Sequence, residues 1–95
     1  MKNYKKEIID KICYTELVYR RINKKLKIDF TNDKIEELVL AIISETDEHK
    51  FIKNGKNIYI TDNFRSIRLT INSYTHRIIT ADKLNKIKNE KTTNS

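Results

Sequence analysis

Phe51-Ile-Lys-Asn-Gly-Lys-Asn-Ile-Tyr-Ile60 is the stretch on which the fold turns. Before it, apolar residues recur at helical spacing; from Lys50 onward they recur every second residue. Phe51-Ile-Lys53 and Lys56-Asn-Ile-Tyr-Ile60 flank Asn54-Gly55, the chain's single glycine. Asn-Gly between alternating runs predicts a hairpin, because both residues readily take the positive φ angles of a type I′ turn. Downstream, Thr61-Asp-Asn-Phe64 reads as a second turn. Ser66 to Ile71 reads as a third strand, with Ile67, Leu69 and Ile71 on one face and Arg68 and Thr70 on the other. Asn72-Ser73 reads as the next turn, and His76 to Ala81 as a fourth strand. Asp82 then caps a short polar helix or opens a frayed tail.

Upstream, Ile35, Leu38, Val39, Ile42 and Ile43 fall on one stripe of a helix over about 32–45. Thr31 or Asn32 caps its start, and Asp33, Glu36 and Glu37 place negative charge where the helix dipole favours it. Residues 4–26 also read as helical, in one or two pieces. Ile8, Ile9, Ile12 and Cys13 make one apolar stripe; Leu17, Val18, Ile22 and Leu26 make another. Thr15 between them is placed to cap a second helix. Ile28 and Phe30 read as core anchors on the way to the next helix. Helices followed by a four-strand antiparallel meander define an α+β fold. Residues 1–83 are expected to form one such domain, with 84–95 as a polar C-terminal helix or tail.

Ninety-five residues hold one core. With no Pro, one Gly and 38% hydrophobic residues, the chain is unlike a linker, although its core is lean. A homodimer sharing a sheet edge or helix face is the alternative to folding alone. One cysteine, Cys13, excludes an intrachain disulfide and, with His49 and His76 far apart, supplies no metal-ligand spacing; Cys13 is expected to be buried. No metal or cofactor is expected. A reducing, cytoplasmic setting follows from the cysteine usage, and no apolar run has the length of a membrane span. The net charge of +7 is uneven: +5 over residues 1–30, −4 over 31–50 and +6 over 51–95. Such a protein attracts an anionic ligand, nucleotide or nucleic acid, or an acidic protein surface.

No glycine-rich phosphate loop or nucleophile–base pair is visible, so catalysis is not expected. The informative residues are arginines and hydroxyls. Arg68 and Thr70 share a strand face, and Arg77 falls on the next strand, so a hairpin would bring the two arginines within cross-strand range. Such a pair is costly unless an anion or carboxylate compensates. Arginine grips phosphate through a planar fork that neighbouring hydroxyls complete. Tyr14, Thr15, Arg20 and Arg21 are expected to contribute from the helical layer, with Asn72 and Thr75 from the last turn. The alternative is that Glu16 or an acid of residues 45–48 satisfies the arginines. The basic run Arg20–Lys27 suits a nucleic-acid backbone, although no helix-turn-helix, zinc-finger, RRM or KH signature accompanies it.

Ile12-Cys-Tyr-Thr-Glu-Leu-Val-Tyr-Arg-Arg-Ile-Asn-Lys-Lys-Leu26, Asn54-Gly-Lys-Asn-Ile-Tyr59 and Thr70-Ile-Asn-Ser-Tyr-Thr-His-Arg-Ile-Ile-Thr80 resemble the DUF3781 family over about residues 10–82. These are small bacterial proteins of unknown function, found mainly in low-GC Gram-positive bacteria and their mobile elements. The resemblance adds emphasis to Tyr14, Thr15, Arg21, Asn23, Arg68, Asn72, Thr75 and Arg77. Its mobile-element setting implies a counter-defence role: sequestering a nucleotide signal or inhibiting a nucleic-acid-guided nuclease. The expectation is a non-catalytic binder of a phosphate-bearing partner. The alternative is a protein–protein inhibitor or adaptor acting through its surface or as a homodimer.

Overall fold

Thr15 ends the first helix's exit and starts the second. In a computed structural model that describes residues 4–84, its hydroxyl accepts from Val18 N at 3.3 Å. The N-terminal helical region is therefore two helices, α1 (Tyr4–Lys11) and α2 (Glu16–Leu26). Lys27 stops α2 in the left-handed conformation (φ 57°), and Ile28 N reaches back to Asn23 O at 3.0 Å, closing the helix end. Thr31 caps α3 (Asn32–Glu45), with its hydroxyl accepting from Lys34 N. The acid-rich exit from α3 is not only a solvated loop. Glu48, in the short 3₁₀ turn Glu48–Lys50, accepts from the first-turn amide of Lys5, and Lys5 Nζ donates to Ser44 O at 3.0 Å. Each helix end thus supplies the charge that the other's dipole favours.

Strands β1 (Ile52–Asn54), β2 (Asn57–Asp62), β3 (Ile67–Asn72) and β4 (Ile78–Lys83) pair antiparallel in sequence order, as expected for a meander. The details of the turns differ from expectation. Asn54 pairs with Asn57, so the central residues of the first turn are Gly55 and Lys56, and only Gly55 takes a positive φ (68°). That is the type II′ arrangement, one residue beyond the I′ turn expected. Thr61 and Asp62 belong to β2; the second turn is residues 63–66, ending in Ser66 at φ 59°. The fourth strand runs through Lys83, so Asp82 is a strand residue and caps nothing. Any C-terminal helix or tail over 85–95 lies outside the described residues.

One sheet face carries Ile58, Ile60, Ile67, Leu69, Ile71, Ile78 and Ala81, all buried against Ile8, Val18, Ile22, Leu26, Ile35, Val39, Ile42 and Ile43 of the helices. The strand alternation and the helical stripes meet in one core, and this second layer stabilises helices too short to persist alone. Phe30 is no anchor: it is 38% exposed, with Lys34 Nζ 6.0 Å from its ring centre, whereas Ile28 packs on the core. Helix α2 runs in the same direction as β4. Cys13, just before α2, forms a parallel bridge with Arg77, just before β4, and Lys25 near the helix end reaches Asp82 near the strand end at 2.9 Å. The opposite sheet face carries Tyr59, Arg68, Thr70, Thr80 and Asp82, and no described helix covers it.

Candidate functional site

The register separates the two arginines expected to meet. Arg68 is the Cα partner of Asp82 on β4 and of Thr61 on β2, whereas Arg77 lies at the far end, its carbonyl accepting from Asn72 N at 2.9 Å. From Arg68 to Asn72 is four strand residues, about 13 Å, so the two arginines are not cross-strand neighbours. The physical reason is the loop at Ser73–His76: the chain re-enters the sheet at Arg77 beside Asn72, and the irregularity between Thr70 and Ile71 shifts the register by only one residue. Arg68 instead lies over the Tyr59 ring, its Cζ 5.7 Å from the centroid, a cation–π contact.

Several predicted ligand groups are occupied by the backbone. Asn72 Oδ1 accepts from Tyr74 N (2.8 Å) and Thr75 N (3.0 Å), and Thr75 Oγ1 accepts from Arg77 N (3.3 Å). Thr15 is the α2 cap, and both ends of the Asn23 amide clamp the Phe30 backbone, at 3.0 and 2.9 Å. Tyr14 stacks on Tyr19 with ring centres 5.5 Å apart, its hydroxyl buried without a partner. Burial, then the Glu36 charge and Tyr19, pushes the Tyr14 phenol up. Tyr19 donates to Glu36, and its phenol is pushed up to about 12, by burial first and by that hydrogen bond and the nearby carboxylates next. Both phenols stay protonated near neutral pH.

Arg20 and Arg21 fare differently. With Leu17, Lys24 and Lys25 they follow the i, i+3, i+4, i+7, i+8 pattern and line an open groove of about 720 Å³ along α2. Lys25 is held by Asp82; Arg20, Arg21 and Lys24 make no ion pair among the described residues, and Lys27 adds a further exposed cation at the helix end. The sequence-level alternative, neutralisation by Glu16 or by the acids of 45–48, applies to none of these. Glu45 is spent on Arg65, which Asp62 also holds.

That Arg65 cluster escaped the sequence reading because its turn was placed two residues early. Asp62 is 7% exposed, and its carboxylate accepts from Phe64 N, Arg65 N and Arg65 Nη1 at 2.9, 3.1 and 2.7 Å. Burial alone would raise its pKa; the side-chain and backbone hydrogen bonds and the charge of Arg65, with the Phe64 amide, outweigh burial and hold it below the usual carboxylate range. A second unforeseen cluster surrounds Cys13, which is exposed rather than buried because it sits in the extended link joining α1 to α2. Its Sγ lies 3.6 and 3.7 Å from the carbonyl oxygens of Thr75 and His76, and His76 Nε2 is 3.2 Å from Glu7 Oε2. The thiol addresses carbonyls and not the imidazole. Among the described residues, no group of three or more His, Cys, Asp or Glu side chains is arranged to hold a metal, and no helix is long and apolar enough to cross a membrane.

The fold and surface define a small two-layer α+β protein with a cationic helix face beside an uncovered sheet face. The chain belongs to the DUF3781 family, described as proteins of unknown function; the family model matches residues 6–82. No curated protein and no solved structure matches the chain.

Proposed function

We propose that the protein is a non-catalytic binder of a phosphate-bearing polymer, a nucleic acid, through the exposed face of α2. The observation that carries this reading is the set of unpaired cations Arg20, Arg21, Lys24 and Lys27 on one short helix. Like charges at i, i+4 destabilise a free helix by a few tenths of a kcal/mol. A polyanion relieves that repulsion, and the open groove suits a chain of phosphates better than a single nucleotide, which is ordinarily enclosed. Sequestering a nucleotide signal is therefore the less favoured form of the reading. Inhibition of a nucleic-acid-guided enzyme is compatible with it and rests on the family's setting.

The test is fluorescence anisotropy with labelled oligonucleotides across a salt series. Each lost phosphate contact reduces the slope of log K against log salt by roughly 0.7–0.9. Arg20→Ala with Lys24→Ala should lower the slope by roughly 1.5. Wild-type protein that binds no oligonucleotide at low salt refutes the reading.

A second reading, a protein–protein inhibitor or adaptor, draws support from a different place. Phe64 is 92% exposed at the mouth of an apolar cleft of about 360 Å³ lined by Leu26, Ile28, Phe30, Leu38 and Ile67. A partner or second copy seated there would be insensitive to salt and to changes on α2. Sedimentation of the free protein distinguishes a homodimer, whose apparent mass would fall with dilution.

A further inference from the structure

The uncovered face of the sheet adjoins the cationic helix, and the two have a fixed relation. Leu17, Arg21 and Lys25 form one i, i+4, i+8 ridge of α2, and Lys25 meets Asp82, whose side chain belongs to the uncovered face by its pairing with Arg68. The ridge therefore meets that face at the Lys25–Asp82 contact. Inward from it lie Thr80 and Thr70, paired across the central strands; Thr70 is 7% exposed, and the Thr80 hydroxyl is buried with no hydrogen-bond partner. Beyond them lies the Arg68–Tyr59 cation–π pair. Arg77 closes one end of the face, and its one carboxylate among the described residues, Asp82, is already held by Lys25. The result is a floor of short side chains between a cationic wall and the Arg68–Tyr59 cation–π pair.

We propose that this face seats single-stranded nucleic acid: the Arg68 cation and the Tyr59 ring offer an unpaired base a polar and an aromatic contact, while Arg21 and Arg77 take phosphates at the margins. This rests on the reading of α2 as a polyanion surface and adds the strand state. Charge complementarity favours a nucleic acid over a second copy of this chain, which carries the same +7. A duplex turns its base faces inward, out of reach of the Arg68–Tyr59 pair, whereas an unpaired strand exposes them.

The experiment measures binding of a labelled oligothymidylate of about 12 nucleotides and of a mixed-sequence duplex of equal length. Wild-type protein is compared with Tyr59→Leu, Arg68→Gln, and the Arg20→Ala, Lys24→Ala pair. Circular dichroism melting confirms that each variant folds. The expected result is tighter binding of the single strand, reduced about 5- to 100-fold by Tyr59→Leu or Arg68→Gln. The same two changes leave the weaker duplex binding untouched, and the α2 pair weakens both. Ultraviolet cross-linking of the wild-type complex, mapped by mass spectrometry, should label the peptide containing Tyr59 and needs no variant. Duplex binding equal to or tighter than strand binding, with Tyr59→Leu and Arg68→Gln indistinguishable from wild type, overturns the inference while the α2 reading stands. No binding of either form removes both.

Discussion

Replacing Asp62 by Asn tests a side chain that accepts three hydrogen bonds at once. Its carboxylate, 7% exposed at the end of β2, holds the turn to β3 by accepting two backbone amides and ties that turn to Arg65, which in turn reaches Glu45 at the end of α3. An Asn carbonyl can keep the two backbone bonds. Its NH₂ would then oppose Arg65 Nη1, donor against donor, at a site where the present contact is 2.7 Å. Loss of one charge-assisted hydrogen bond costs about 1.5–3 kcal/mol. Arg65 remains a quarter exposed and retains Glu45, so the lower part of that range applies, about 2 kcal/mol. In a domain of this size that corresponds to a drop in Tm of roughly 10 °C. Urea unfolding at neutral pH should show the loss with an unchanged m-value. The folded-state pKa of Asp62 lies below its unfolded value, so its contribution is complete above the ordinary carboxylate range, about pH 4. The contribution fades as pH falls through the folded value. The gap between wild type and Asp62→Asn should therefore be constant from neutral pH to about pH 5 and close in acid below about pH 4. Equal stability at pH 7, or a gap that persists unchanged in strong acid, would refute the assignment of the turn's stability to this carboxylate.

Other substitutions separate scaffold from ligand contacts. Asn72→Ala frees the amides of Tyr74 and Thr75 and should cost about 1 kcal/mol in urea unfolding while leaving oligonucleotide affinity unchanged once folded. Thr15→Ala should cost about 1 kcal/mol through loss of the α2 cap, with Thr15→Ser restoring it in the same assay. Gly55 and Lys27 form a mirrored pair at positive φ: Gly55→Ala should destabilise by about 1 kcal/mol although no atom crowds the new methyl, and Lys27→Gly should stabilise by a similar amount. Thermal melts of both variants check the sign.

Local chemistry made much of this molecule legible from residues alone. The stripe Ile35–Ile43, the hydroxyl caps at Thr15 and Thr31 and the alternation in β2 and β3 are short-range signals. Each is enforced by one helix turn or one pleat, and each reappears in the structure as an element. Composition likewise pointed to one basic α+β domain, and the cationic run on α2 was visible as a run because a helix keeps residues i, i+3 and i+4 together. Register, pairing and exposure were beyond reach. That Arg68 faces Asp82 and not Arg77 follows from the register between β3 and β4, which the Ser73–His76 loop sets and no short-range pattern announces. Whether a cation is free depends on which acids the fold brings near it: Glu45 went to Arg65 and Asp82 to Lys25, partners 20 and 57 residues away. The apolar neighbours of Cys13 suggest a helix stripe, and only the extended link bridging to Arg77 exposes it. Sequence by itself determined the elements and the sign of the surface, since both follow from nearest neighbours along the chain. Tertiary structure alone decided which charges are left unpaired and which face stays open, because those are set by distances between residues that the chain holds far apart.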